Sequence, residues 1–479
     1  MMRLVKAECK KILRSKFNIF MILILFSYTG YQAYSEYQFK FQNTVAQEWT
    51  MKTTEGKDLN NGADYFMYAD KILHQYEGEA SPKLYEKFMS DYEKILEAYP
   101  LKDYDVNYMI SLYGTEYEKF LQDCVDGKYS EQKRIEYLEN VQKNFYPFNY
   151  YKDDDNDNLL YPMVFYENDH VRLLYQNIYK NTMEYNYYLK PTKDIPDLGN
   201  FKAYCLASNA EIMEGLDLSD PLNKAMKEHF VNQEQNQHFN SVVGNNLFVN
   251  ALGCIDFVTL LMIALILSNT FAMENYYKTD QILIPSETAM KKLSLAKLLA
   301  GILVSVGILL LEYLMLYMFT MIYVPLRDLN METISMAGTS VKSITNGIFT
   351  YKEIIGTGLF LNLLAVISTA LITMLASFIS KNRFITIILL ITFILITTFS
   401  YPFDTIFHNF GDHLFLGNML HTNDFFLIFR YGNSPEPYGL WNGIFYSWKT
   451  IIVLFWMIVD IMITLIVWKI SKKHVVKNH

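Results

Sequence analysis

Three acids stand inside long apolar runs of this 479-residue chain: Asp256, Glu312 and Asp460. A carboxylate in hydrocarbon is expensive, by about 2.5–3.5 kcal/mol even on the lenient insertion scale. Each must therefore face a bundle interior, a wet cavity or a partner subunit, or carry a proton. Two chemistries fit: a step on a substrate or proton path, or a hydrogen bond between helices. Glu312 falls near the middle of its run and suits either. Asp256, close to an outer end, suits the second. No basic residue lies deep enough in these runs to pair with them.

A second group lies between two apolar runs, in residues 272–296. Glu274, Lys278, Asp280, Lys291 and Lys292 surround an apolar knot, Ile282-Leu283-Ile284-Pro285, and Lys297 borders the next run. A solvated turn has no use for such a knot. An apolar centre inside a rim of both charge signs suits a protein contact; anchoring on the membrane surface is the other reading.

Elsewhere the chemistry is thin. "DDDNDN" at 153–158 opens like a calcium loop, but Asn158 and Val164 stand where an EF-hand needs Gly and Glu, so it reads as a solvated acidic turn. His408, Asp412, His413 and His421 share one loop, where an amphipathic interfacial segment explains them without a metal. The chain has no G-x-x-x-x-G-K-[ST], H-E-x-x-H or G-x-S-x-G motif. It binds no ATP phosphates through a P-loop of its own, and no cofactor or enzymatic activity is expected. Cys124 and Cys205 could bridge in an oxidising compartment, which spacing alone does not decide.

These residues need elements to hold them. Half of the chain (51%) is hydrophobic, and the apolar residues clump into runs near 17–35, 248–271, 297–324, 354–379, 384–402 and 449–470. Each approaches the roughly 20 residues a membrane helix needs. The first run is not read as a signal peptide, because its basic leader is long and no clean small-residue cleavage site follows Gly30. Crossing at each run puts the N-terminal segment, 272–296, the Lys381–Arg383 turn and the C-terminal tail on one side. That side carries sixteen basic residues, Lys297 included, against five in the two short loops on the other side and at the border of the last run: Arg327, Lys342, Lys352, Arg430 and Lys449. Both termini are expected in the cytoplasm of a multi-pass plasma-membrane protein.

The expected fold is thus an all-α polytopic membrane protein. Residues 1–35 form a basic amphipathic N-terminus and the first span, 36–247 an extracytoplasmic domain, and 248–479 five further spans. The outer domain carries a net charge of −15 where the whole chain carries −8, which argues against nucleic acid. It reads as mainly helical: Leu84, Phe88, Tyr92, Ile95 and Tyr99 recur at helical steps after a Ser81-Pro82 start. Short strands fit near 158–190. Its many tyrosines suit a packed core with wet hydroxyl tips, or an aromatic ligand surface.

The pieces together resemble a family. A basic N-terminus, "MMRLVKAECKKILRSKF", leads into span one, and a large outer insert separates spans one and two. An inner loop then runs Glu274, Asp280-Gln281-Ile282-Leu283, Pro285, Lys291-Lys292. This is similar to the membrane subunit of a type-2 ABC exporter, in the branch with a long extracytoplasmic insert, although Lys278-Thr279 stands where that family usually has Gly-Thr. The resemblance implies that 272–296 is a coupling loop seated on a separate ATP-binding subunit. It also implies a second permease subunit, identical or homologous, and an amphiphilic or peptide-like substrate such as an antimicrobial peptide. A membrane-anchored sensor that binds an outside ligand without transport is the alternative.

Overall fold

The computed structural model describes residues 1–45, 51–59, 62–79, 82–100, 238–272, 287–331, 350–380, 382–398, 438–441 and 444–476. It also describes 102–103, 119, 123, 128, 151–152, 160–161, 166–167, 169–180, 219, 221, 224, 416 and 418–420. Within these the chain is mostly helical.

Helix α1 (Met2–Arg14) is amphipathic, burying Val5 and Ile12 while Leu4 and Leu13 stay exposed. Lys11 and Arg14 in its last turn complement the helix dipole. Ser15 turns extended (φ −62°, ψ 121°), and α2 (Lys16–Val45) leaves at 71° to α1. Asn18 Nδ2 fixes this elbow by donating to the Ile12 carbonyl at 2.9 Å, one of the carbonyls a helix end leaves unmade.

Outside the apolar helices lie α3 (Gly62–Leu73), α4 (Pro82–Ala98) and α5 (Asp169–Tyr175), the last continued by a π-turn to Lys180. Two-residue strands pair among them, including 102–103 with 166–167 and 151–152 with 160–161. Among the described residues of 158–190, where short strands are expected, 160–161 and 166–167 are two-residue strands and 169–180 is helical. The tyrosines described here pack rather than line a surface. Tyr76 stacks on Phe88 at 3.9 Å between centroids, and Tyr179 meets Tyr76, Phe88 and Tyr92 at 5.6–5.9 Å. Burial and the Tyr179 hydroxyl push the Tyr76 phenol up. It donates to Asp91 Oδ2 at 3.0 Å.

The apolar helices are α6 (Val243–Leu252), α7 (Phe257–Leu267), α8 (Glu287–Tyr323), α9 (Tyr351–Ser380), α10 (Arg383–Thr398) and α11 (Trp448–Val476). Three segments, Lys292–Tyr323, Tyr351–Ser380 and Thr450–Ile470, are each long and apolar enough to cross a membrane. Two bent pairs, α1 with α2 and α6 with α7, raise the number of candidate spans to five; within α10, Arg383–Thr392 is a shorter apolar helix. Helices α8 and α9 form the centre, with α1, α2, α6 and α11 against α8, and α7, α10 and α11 against α9. Leu303, Leu310, Leu314 and Ile322 of α8 and Leu454, Ile458, Ile461 and Leu465 of α11 point outward, an apolar surface suited to lipid.

The expected continuous span 248–271 is instead two helices that meet at 47° across residues 253–256. Helix α6 also begins earlier, at Val243. Gly244 permits this, since a Cβ there would lie 2.2 Å from the Pro325 carbonyl oxygen.

A polar clamp joins α3 to this end of the bundle. Arg327, just beyond α8, donates from Nη2 to Asp70 Oδ2 at 2.9 Å and from Nε to Oδ1 at 3.2 Å. Ser241 Oγ donates to Asp70 Oδ1 at 2.6 Å, and the Arg327 amide donates to Asn245 Oδ1 at 3.0 Å. A bidentate, largely buried pair of this kind fixes orientation as well as distance.

Candidate functional site: an intramembrane polar cluster

Two consecutive residues of α2 reach two of the three acids singled out by sequence. Tyr28 donates its hydroxyl to Asp256 Oδ2 at 2.6 Å, and Thr29 donates to Glu312 Oε1 at 2.9 Å. Thr259 of α7 donates to the same Glu312 oxygen at 3.1 Å. Three helices thus converge on one carboxylate oxygen. Glu312 and both threonines are buried.

Asp256 has a structural explanation. It is the N-cap of α7: its backbone is extended and Oδ1 accepts from the Val258 amide at 2.8 Å. The break at 253–256 leaves amides that need an acceptor in an apolar setting, and Asp is a preferred cap. A cap contributes about 1 kcal/mol, and the Tyr28 bond adds about 0.6. Both oxygens are engaged. Asp256 thus joins α2 to the start of α7 and also caps α7, a role that no local sequence pattern marks.

Glu312 is different. Its two threonine bonds contribute about 1.2 kcal/mol together at the average measured between membrane helices, against a burial cost of about 2.5–3.5. Moreover, Oε2 is buried with no hydrogen-bond partner among the described residues. Hydrogen bonding alone does not account for an acid at this position. The next residue, Tyr313, accepts at its hydroxyl from Asn362 Nδ2 of α9 at 2.7 Å, which ties the same turn of α8 to a fourth helix.

Asp460 is not part of this group. On α11 it accepts from Ser368 Oγ of α9 at 2.9 Å through Oδ2, while Oδ1 has no partner among the described residues. Sequence reasoning named the three acids but not their donors. Tyr28, Thr29, Thr259 and Ser368 are common residue types in apolar helices, and only the packing selects them.

Of the expected coupling loop, Glu274, Asp280, Ile282, Leu283, Ile284 and Pro285 lie outside the described residues. Lys291 falls in the second turn of α8. The approach to that loop is described, however. Lys297, read from sequence as a border charge, is wholly buried and donates from Nζ to the Thr270 carbonyl at 3.0 Å, over the Phe271 ring at 4.9 Å. Ser377 of α9 accepts from the Phe271 and Ala272 amides at 3.3 and 3.2 Å and donates to the Ser268 carbonyl at 2.8 Å. Residues 268–272 are therefore fastened to both central helices. The flanks of Lys297 look like a loop edge, but its ammonium answers an open carbonyl beyond α7 and so lies inside.

Among the described residues no group of three or more His, Cys, Asp or Glu side chains could hold a metal ion. The residues of 153–158 and the His408–His421 group lie outside the described set. No family model, no curated protein and no solved structure matches this chain.

Proposed function

We propose that this chain is the permease subunit of an exporter driven by a separate ATP-hydrolysing subunit, moving an amphiphilic or peptide-like substrate. In this reading six spans place both termini in the cytoplasm and residues 36–247 outside. A second permease subunit, identical or homologous, completes the pathway. The carrying observation is the composition of 272–296: an apolar knot inside charged flanks, joined to the bundle on the side whose short segments carry most of the basic residues next to the spans.

Two features support a mechanical route from that segment. Residues 268–272 are held by Lys297 and Ser377, so movement of the loop is passed to α8 and α9. Higher on α8, Glu312 sits where α2 and α7 meet that helix. A rearrangement of α8 would change the donors around the Glu312 carboxyl, which gives the acid a part in substrate or proton passage. The Arg327–Asp70 clamp carries the same movement to α3.

That clamp also favours the second reading, a membrane-anchored sensor in which a ligand outside shifts the bundle and nothing is transported. Affinity isolation of the full chain from its native membrane, followed by ATP hydrolysis assays with added amphiphilic peptides, separates the two. Co-isolation of an ATP-hydrolysing subunit with peptide-stimulated turnover is expected. Isolation of the chain without any ATPase activity overturns the permease reading and leaves the sensor.

A further inference from the structure

The 71° elbow between α1 and α2 encloses a cavity of about 350 Å³, within the size range of small-ligand sites. Its walls come from the end of α1, the first turn of α2, the residues just beyond α7 and the start of α10. Three cations line it, Lys11, Arg14 and Arg383, against one acid, Glu8, which lies 3.8 Å from Lys11.

Two of the residues that line this space carry an unmade polar group. Arg383 Nε is buried with no hydrogen-bond partner among the described residues, although the guanidinium carbon is held 4.2 Å from the centroid of the Phe17 ring. Thr270 is only 8% exposed, and its Oγ1 likewise has no partner among the described residues. Buried donors are normally paired, and an unpaired guanidinium edge is the more costly case. The N-termini of α2 and α10 open here as well, at Lys16 and Arg383, and both favour an anion.

We infer that this elbow binds a phosphate ester, the headgroup phosphate of an anionic phospholipid. Guanidinium groups match phosphate oxygens with two parallel donors, and the stack on Phe17 sets the plane of Arg383 in advance. A hydroxyl such as Thr270 supplies a third donor. The lipid source follows from position: α1 is an amphipathic helix with exposed Leu4 and Leu13, and α2 and α10 leave the elbow as apolar helices. An acyl chain could follow their outward apolar residues, Phe20 and Leu23 on α2 and Phe384 and Ile388 on α10. This inference does not depend on transport and would hold for a sensor equally.

The test uses the full chain purified in a neutral detergent and titrated separately with phosphatidylglycerol, phosphatidylcholine and inorganic phosphate. Binding is read by native mass spectrometry, with thermal unfolding of each lipid-free variant as a control for folding. Phosphatidylglycerol should bind well above phosphatidylcholine. Arg383→Gln should weaken it by about tenfold or more, the loss of a charge-assisted contact, and Thr270→Val by several-fold. Lys381→Gln, a neighbouring charge, serves as the control and should change little. Saturation by inorganic phosphate alone, with the same dependence on Arg383 and Thr270, would keep the anion site but assign it a soluble ligand. Phosphatidylglycerol binding equal in the parent, Arg383→Gln and Thr270→Val proteins overturns the inference.

Discussion

Replacing Arg327 with Met removes the charge and keeps most of the side-chain length, so it isolates the clamp between α3 and the bundle. Asp70 is 6% exposed, and of its donors only Ser241 at 2.6 Å would remain to it. Breaking a fully buried pair in this way costs about 3–5 kcal/mol. The Arg327 side chain is 24% exposed, so solvent screens part of that, leaving about 2–3 kcal/mol. At about 1.4 kcal/mol per decade, local opening of α3 should rise about thirty- to hundredfold. Hydrogen exchange on the amides of 65–73 reads this directly, beside the amides of α9 as an internal reference. The double variant Asp70→Asn with Arg327→Met should open less than the sum of the single effects, because no unpaired carboxylate is left. Unchanged exchange in Arg327→Met, or strict additivity in the double variant, would refute the clamp.

Topology is checked by single cysteines in a background without the four native ones: one at Asn156 should react with an impermeant thiol reagent on intact cells, and one at Thr288 should not. Glu312→Gln should assemble normally yet change transport or its pH dependence, while Glu312→Leu also removes the Thr29 and Thr259 bonds along with the burial cost of the acid; wild-type transport by both would leave the acid a purely structural role. Asp91 gives a pH test outside the membrane. Burial alone would push its pKa up, but the Lys94 and Tyr76 hydrogen bonds and the Lys94 and Lys87 charges outweigh it, holding the carboxyl below the usual aspartate range. A depressed folded value means that this stability is present above the unfolded value and is lost as pH falls through the folded one. Asp91→Asn should therefore cost under about 1 kcal/mol near neutral pH, given its partial exposure, with the difference vanishing in acid; amide exchange in α4 measures it.

Much of the helical frame could be read directly. Apolar runs of membrane length mark α8, α9 and α11 because lipid leaves the backbone no partner but itself, so composition and length suffice. The break at 253–256 was not legible. Gly253, Cys254 and Ile255 look unremarkable, and only the Asp256 cap with the Gly244–Pro325 approach explains why the helix stops. Among the acids, Glu312 and Asp460 are buried and Asp256 is half-buried, and the difference in their partners was not legible: Asp256 caps its own helix, whereas Glu312 depends on donors 283 and 53 residues away. The Asp70–Arg327 pair, separated by 257 positions, left no local signal at all. Lys297 is the opposite case: its charged neighbours give it the sequence signature of a border residue, and packing places it inside.

In the proposed permease, 272–296 receives an ATP-hydrolysing subunit through its apolar knot. Removing a buried interface side chain costs about 2 kcal/mol or more, and a buried unpaired charge adds to that. The most direct measurement is the affinity of the full chain for the co-isolated ATP-hydrolysing subunit, compared among the parent, Leu283→Asp and Lys278→Ala. Leu283→Asp should weaken association by at least about tenfold while exchange in α3 and α4 stays unchanged, and Lys278→Ala on the polar rim should matter far less. Parent-like association and hydrolysis with Leu283→Asp would rule out this loop as the seat of the ATP-hydrolysing subunit.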